Sequence, residues 1–272
     1  MIEPTSGVIL VVAIFVGVLG LAIGSFLNVV VWRIPNGASL SSPPSACPKC
    51  GHPIRARDNI PVVSWLILRG RCRDCGERIS IRYPLVELGT ALAFVGVALW
   101  SAIQPAGFWL LPAYLYFAAV SIALALIDLD TRTLPNRIVV PSIAILGVLL
   151  AVTSFGTGDW FSLLWACVGG AALFAFYLVL VLIYPRGMGF GDVKLAAIVG
   201  LALGYLGWGS LIVGAFAAFL LGGVFSIVLL ATGRATRKTG IPFGPWMLLG
   251  AWVGVVFGRE ISQGYLTLVG IS

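Results

Sequence analysis

The residues of this chain that could do chemistry fall into two sets, and the first is sulfur. Four of the five cysteines form two C-x-x-C pairs, Cys47-Pro-Lys-Cys50-Gly-His52 and Cys72-Arg-Asp-Cys75-Gly. Two such pairs, each followed by glycine, have the ligand set of zinc knuckles closing one tetrahedral four-cysteine site, with a gap (51–71) slightly longer than usual. A thiolate at every corner leaves no coordination position open for substrate, so the Zn2+ expected here is structural. His52, the sole histidine, is expected as a solvated neighbour of that metal. Cys167 lies in an apolar run and reads as a small buried hydrophobe.

The second set is carboxylate. Of ten acidic residues, Glu3, Asp58, Asp74, Glu77, Asp159 and Glu260 fall in loops or tails, leaving Glu87, Asp128, Asp130 and Asp192 at the edges of apolar runs. A charge there is costly unless hydrated or paired, which makes each a functional candidate beside the plainer reading of an interfacial carboxylate. Asp128 begins Asp128-Leu-Asp-Thr-Arg-Thr-Leu-Pro135-Asn136, and Asp192 closes Gly187-Met-Gly189-Phe-Gly191-Asp192. Gly189 and Gly191 present no side chains to hold off a partner helix or an extended peptide. Two whole apolar runs separate the aspartates, so parity returns both to one membrane face. Two close carboxylates share a proton more readily than both ionise. One can then act as base toward a water while its protonated partner polarises an amide carbonyl. Other membrane-protease chemistries lack their parts, because an H-E-x-x-H zinc helix or a serine–histidine dyad needs histidine in the membrane.

These groups need a scaffold, and composition names it. The chain is 60% hydrophobic and only 10% charged, with a mean hydropathy of +1.05, which places it in a bilayer rather than in water. Apolar runs near the ~20 residues a spanning helix needs occur at 8–32, 84–103, 108–127, 138–155, 161–183, 193–207, 210–232 and 242–257. The sequence thus predicts an all-α polytopic helical bundle of about eight transmembrane helices. The leader before the first run carries Glu3, no basic residue and no small-residue cleavage site, so the run reads as a retained span with its N-terminus outside. The cytoplasmic segments are then 33–83, 128–137, 184–192 and 233–241, and these with their flanks hold every Lys and Arg of the seventeen except Arg259. The net charge of +7 reports this orientation and contact with anionic lipid; nucleic acid is not an expected partner. The expected organisation is a first span over 1–32, a cytoplasmic zinc-binding loop domain over 33–83 that a metal would have to hold together for want of a core, and a catalytic membrane region over 84–272 with seven spans.

In order along the chain, five blocks resemble one family. They are Gly24-Ser25-Phe26-Leu27-Asn28-Val29-Val30 with Arg33 and Pro35; the paired C-x-x-C loop; Tyr83-Pro84-Leu85-Val86-Glu87; Asp128 with Leu134-Pro135-Asn136; and Gly189-Phe190-Gly191-Asp192-Val193-Lys194. The chain resembles the bacterial prepilin peptidases (type 4 prepilin leader peptidases) among the Gly-x-Gly-Asp membrane aspartyl proteases, and the likeness covers nearly its whole length. The resemblance implies cleavage of basic leader peptides from type IV pilin-like precursors at the cytoplasmic face of the inner membrane. It implies Asp128 and Asp192 as the catalytic pair, with Asp130 a lesser candidate. Many members with the cysteine loop also N-methylate the new N-terminus using S-adenosylmethionine, though residues 24–87 hold no glycine-rich strand-to-helix signature for that cofactor. Glu87 could meet the leader's positive charge or the substrate amine, or serve as a plain interfacial glutamate.

Three rival readings make different demands. A Gly-x-Gly-Asp intramembrane protease of other membrane peptides would place its aspartates deeper and would not need the zinc loop. An ion- or proton-coupled transporter would break its helices at the midplane. A non-catalytic assembly protein would use the zinc loop for docking.

Overall fold

A computed structural model describes residues 6–185, 188–234, 236 and 240–270. Gly187 and the basic residues Arg186, Arg237 and Lys238, used above for motif and orientation, lie outside the described residues, as does Glu3. The regular structure of the described residues is helical apart from two isolated antiparallel bridges, Ala46 with Pro53 and Arg71 with Arg78. The helices are α1 (Ser6–Arg33), α2 (Val63–Ile67), α3 (Arg82–Ala102), α4 (Leu111–Thr131), α5 (Asn136–Thr157), α6 (Trp160–Ile183), α7 (Phe190–Leu206), α8 (Trp208–Ala231) and α9 (Gly244–Leu268), with 3-10 turns at Ala56–Asp58 and Gly107–Leu110.

Among the described residues six helices are long and apolar enough to cross a bilayer: α1, α3, α4 with its leading turn, α5, α6 and α8. The chain is therefore a multi-pass membrane protein. The two other apolar runs differ. α7 has 17 residues, or about 25 Å at 1.5 Å per residue, less than the ~30 Å hydrocarbon core. α9 is long but carries Arg259 and Glu260. Of the eight expected spans, six satisfy both length and apolarity among the described residues, and α7 and α9 do not.

The chain divides into two compact units at Leu111 and Pro112. In the first, α1 and α3 pack through a glycine stripe. A Cβ on Gly20 would lie 2.7 Å from the Ala91 Cα, and one on Gly24 2.6 Å from the Glu87 Cα. Backbones approach this closely because lipid tails remove the hydrophobic drive between helices and leave contact dispersion to hold them. The loop from α1 to α3 is stapled at its start by buried Arg33, which donates to the carbonyls of Ser39 (2.8 Å), Leu40 (3.3 Å) and Pro43 (2.6 Å).

In the second unit α7 is the axis, packed by α5, α6, α8 and α9 and buried along almost its whole length. Its Gly204 admits α6: a Cβ there would lie 2.5 Å from the Trp165 carbonyl oxygen and 3.2 Å from the Gly169 Cα. The Tyr114 hydroxyl donates to the Ala202 carbonyl at 2.7 Å, and Tyr205 shares a 3.0 Å hydrogen bond with Ser154, so α4 and α5 are tied to the same axis. Cys167, expected in the interior, is exposed on α6. Hydropathy reports an apolar surrounding, and lipid supplies one as well as a neighbouring helix does.

Packing this close makes the glycines unequal. Gly204→Ala is expected to destabilise by about 1–3 kcal/mol through overpacking. Gly147→Ala, where a Cβ meets nothing within 4 Å, should be neutral or gain up to about 1 kcal/mol of helix propensity. Thermal unfolding in detergent compares the two.

Candidate active site and metal centre

The cysteine loop is built as two copies of one turn. In the first, Cys47 N–H donates to the His52 carbonyl (3.0 Å) and Gly51 N–H to the Cys47 carbonyl (2.9 Å); in the second, Cys72 donates to Glu77 (2.8 Å) and Gly76 to Cys72 (3.0 Å). Gly51 and Gly76 have φ of 72° and 71°, a left-handed conformation that glycine adopts without strain. The glycine after each pair is therefore what turns the backbone so that both cysteines of a pair point the same way. The four sulfurs lie within 4.8 Å of one another, and Cys47 Sγ is 3.8 Å from Cys75 Sγ. A tetrahedron of zinc–sulfur bonds of about 2.3 Å has edges of about 3.8 Å, so the donor set fits Zn2+. His52 is exposed and the sulfur cluster closes without it.

Electrostatics at the cluster favour a divalent cation. The N–H groups of Cys50 and Lys49 point at Cys47 sulfur and hold its thiol down at about 6. At Cys75 the Glu77 N–H pulls the same way, but desolvation and the three neighbouring thiols outweigh it and push this thiol up to about 12. The first thiolate forms readily and the last resists, until positive charge arrives. Ion pairs brace the turns: Lys49 with Glu77 and Arg55 with Asp74 (2.9 Å) link the two, and Arg73 with Asp58 (2.6 Å) ties the second to the 3-10 turn.

The carboxylates are held differently. Asp128, on the last turn of α4, and Asp192, in the first turn of α7, are only 4% and 8% exposed, so neither is hydrated as a free surface charge would be. Asp128 Oδ2 accepts the N–H of Gly244, the first residue of α9, at 3.1 Å. Asp192 Oδ2 accepts the N–H of Gly189, the residue capping α7, at 3.2 Å. Each carboxylate thus sits at a helix N-terminus, where orphan N–H groups and the helix dipole stabilise negative charge. Leu134 packs beside the backbone of both sites: a Cβ on Gly191 would lie 3.0 Å from the Leu134 Cβ, and one on Gly244 would lie 3.6 Å from its Cδ1 and 2.7 Å from Asp128 Oδ2. Asp128 and Asp192 thus lie at one end of this unit, where the parity of apolar runs places them. Two acids sharing one wall can act as base and acid on the same bond.

The glycines of Gly-x-Gly-Asp separate physically. Gly191 has no room for a side chain against Leu134, whereas a Cβ on Gly189 would meet Asp192 Oδ2 only at an ordinary 3.6 Å. Lys194 donates to Asn136 Oδ1 at 2.7 Å and lies 4.9 Å from the Phe190 ring centroid, locking the start of α5 to the start of α7. Asp130 is exposed one turn-edge away from Asp128. Glu87 is buried in the first unit, and its Oε2 accepts the Val62 N–H at 2.7 Å. Gly244 was not singled out from sequence. Its signal was glycine followed by Pro245 at the head of an apolar run, the pattern of a helix start, and Phe243 before it is gripped by Tyr177 and Phe219, with ring centroids 6.3 and 5.3 Å away.

Comparison with known proteins bears on both units. Residues 18–101 match the model of the bacterial peptidase A24 N-terminal domain, and residues 115–227 match that of the type IV leader peptidase family. The chain is 37% identical to a prepilin leader peptidase/N-methyltransferase of Pseudomonas putida, over 93% of either chain. It is 38% identical to one of Stutzerimonas stutzeri, over 92% of each, and 35% identical to one of Pseudomonas aeruginosa, over 93% of each. No solved structure matches the chain.

The metal centre has a direct test. Purified protein should carry one equivalent of zinc, and Cys47→Ser or Cys72→Ser should lose it. Zinc binding must displace the protons of all four thiols, so acid competes with the metal for the site. Zinc retention followed by elemental analysis should therefore hold at pH 7 and fail in mild acid.

Proposed function

The chain belongs to the type IV leader peptidase family, and we propose that it is a membrane aspartyl endopeptidase that removes basic leader peptides from type IV pilin-like precursors and then N-methylates the exposed N-terminus. The observation that carries this reading is the pair of buried carboxylates, Asp128 and Asp192, each accepting a backbone N–H at a helix start, with Leu134 packed against the backbone beside both. One of them draws a proton from water as that water attacks the scissile carbonyl. The other, protonated, donates to the carbonyl oxygen to give a tetrahedral diol; as the C–N bond breaks, the first carboxyl passes the proton taken from water to the departing amine, and the second recovers its proton from the diol hydroxyl. Gly189 leaves the backbone before Asp192 open, while Gly191 lets Leu134 pack closely beside it. Fixing both carboxylates on helix ends sets their orientation before substrate arrives, which is the larger part of what such a pair can contribute.

The basic residues of the loops support an inner-membrane protein with this site on the cytoplasmic side, where a precursor anchored by its own apolar helix would present its leader. Functionally, residues 1–32 serve as a first span, 33–83 as the zinc-holding segment and 84–272 as the peptidase region. Cys47, Cys50, Cys72 and Cys75 would hold Zn2+, whose contribution is to fold the loop. For S-adenosylmethionine the described residues build no β-sheet, and so no strand-to-helix crevice of the usual nucleotide kind. No residue is assigned to it and no step is drawn through it.

A purified chain in lipid, given a synthetic basic-leader precursor, tests the proposal by mass spectrometry. Asp128→Asn and Asp192→Asn should each lose at least about a hundredfold in cleavage rate while remaining folded; near wild-type cleavage by either would refute the dyad. A gain of one methyl on the mature fragment, dependent on S-adenosylmethionine, decides the second activity. Gly244→Ala should displace the Asp128 carboxylate and lower the rate by up to about a hundredfold with little change in precursor binding.

A further inference from the structure

The segment between α1 and α3 is polar by composition, and hydropathy consigns all of it to water. Its geometry does not. The Val62 N–H donates to buried Glu87 of α3 at 2.7 Å. Glu87 lies five residues into α3, about 8 Å along its axis. Gly24, against which Glu87 packs, lies nine residues before the end of α1, about 13 Å. Val62 is therefore pinned alongside the two membrane helices, below their ends.

The backbone at that point is strained. Val62 has φ 61° and ψ −50°, and Val63 N–H donates to the Pro61 carbonyl at 2.6 Å. This is the rarer form of γ-turn with a β-branched residue in the left-handed region, a conformation that persists only where surrounding contacts impose it. The contacts are present. Buried Ser64 accepts from Ile60 N–H (3.0 Å) and donates to the Arg57 carbonyl (2.9 Å), and Trp65 Nε1 donates to the Ile79 carbonyl (3.1 Å). These fix the inner face of α2. The opposite face is apolar and open: Ile60, Val63, Leu66 and Ile67 are 50%, 47%, 62% and 70% exposed. At its two ends stand the exposed Arg57 and Arg69. Among the described residues neither forms an ion pair, because Asp58, Asp74 and Glu77 are taken by Arg73, Arg55 and Lys49.

An apolar face edged by two exposed arginines, held at the depth of a membrane helix's second turn, is complementary to an anionic lipid surface. We propose that residues 60–69 form an interfacial foot, with Ile60, Val63, Leu66 and Ile67 against acyl chains and Arg57 and Arg69 on the phosphates of anionic lipids. Glu87 is the positioning residue that sets its depth. The zinc-holding segment is thereby seated on the bilayer instead of being tethered only at its ends. This inference does not depend on the peptidase reading.

A benzophenone amino acid placed singly at Val63, Leu66 or Ile67 of the full chain, in vesicles of phosphatidylglycerol and phosphatidylethanolamine, tests it by mass spectrometry after irradiation. Lipid adducts are expected at all three positions and not at the exposed loop residue Ser41. In the Arg57→Gln/Arg69→Gln variant the ratio of phosphatidylglycerol to phosphatidylethanolamine adducts should fall roughly fivefold per arginine removed. Glu87→Gln, whose amide oxygen still accepts the Val62 N–H, should keep the adducts, and Glu87→Ala should lose them with zinc retained. Absence of lipid adducts at all three positions, while the same probe at exposed Val11 of α1 gives them, overturns the proposal. Adducts to an added basic-leader precursor in place of lipid would overturn it too, assigning this face to protein.

Discussion

A carboxylate taken out of water at a membrane boundary must be given partners, and the second unit is organised around doing this twice. Asp128 and Asp192 are both buried, yet among the described residues neither is matched to a lysine or arginine. Each instead accepts a backbone N–H at a helix start, Gly244 for Asp128 and Gly189 for Asp192. A full counter-charge would fix a carboxylate as an anion and leave it unable to take up or release a proton. The partial charge of a helix end holds it in place while leaving its protonation free to change. Everything near the pair follows from the close approach this requires: glycine at 244 because a Cβ would collide with the carboxylate, glycine at 191 because Leu134 fills the space, and Lys194 turned aside to Asn136.

The first unit solves a different problem by different means. Its loop has too few apolar residues to bury a core, and the four cysteines substitute for one. Two turns of identical hydrogen bonding present four sulfurs at tetrahedral spacing, and salt bridges brace them from outside. Those bridges are exposed and contribute little stability individually. Their larger effect is on charge, since they occupy the loop's carboxylates and leave Arg57 and Arg69 unpaired. Glycine recurs in both units as a means of bringing helix backbones together, at Gly20 and Gly24 against α3 and at Gly204 against α6. This is expected where lipid competes with protein for every apolar side chain.

Much of this was legible from the residues alone, wherever the chemistry is local. Cysteine spacing determined the four-sulfur site because a C-x-x-C turn is made by consecutive residues. Hydropathy determined an all-helical membrane protein because backbone in lipid has few other ways to satisfy its hydrogen bonds. Scarcity of charge in a 60% hydrophobic chain made Asp128 and Asp192 conspicuous, and parity of runs put them at one end.

Tertiary structure alone decided what depends on a partner distant in sequence or on which apolar neighbour a residue meets. The donor to Asp128 is 116 residues away and is a backbone N–H, which leaves no mark in side-chain identity. Glu87, read as a possible contact for a substrate amine, is engaged by the N–H of Val62, a valine whose strained turn no propensity would predict. Cys167 faces outward because hydropathy measures apolarity and not whether lipid or protein provides it. α7 reads as a span like the others, yet it is 17 residues long and enclosed by four helices, a distinction that exists only once the neighbours are in place.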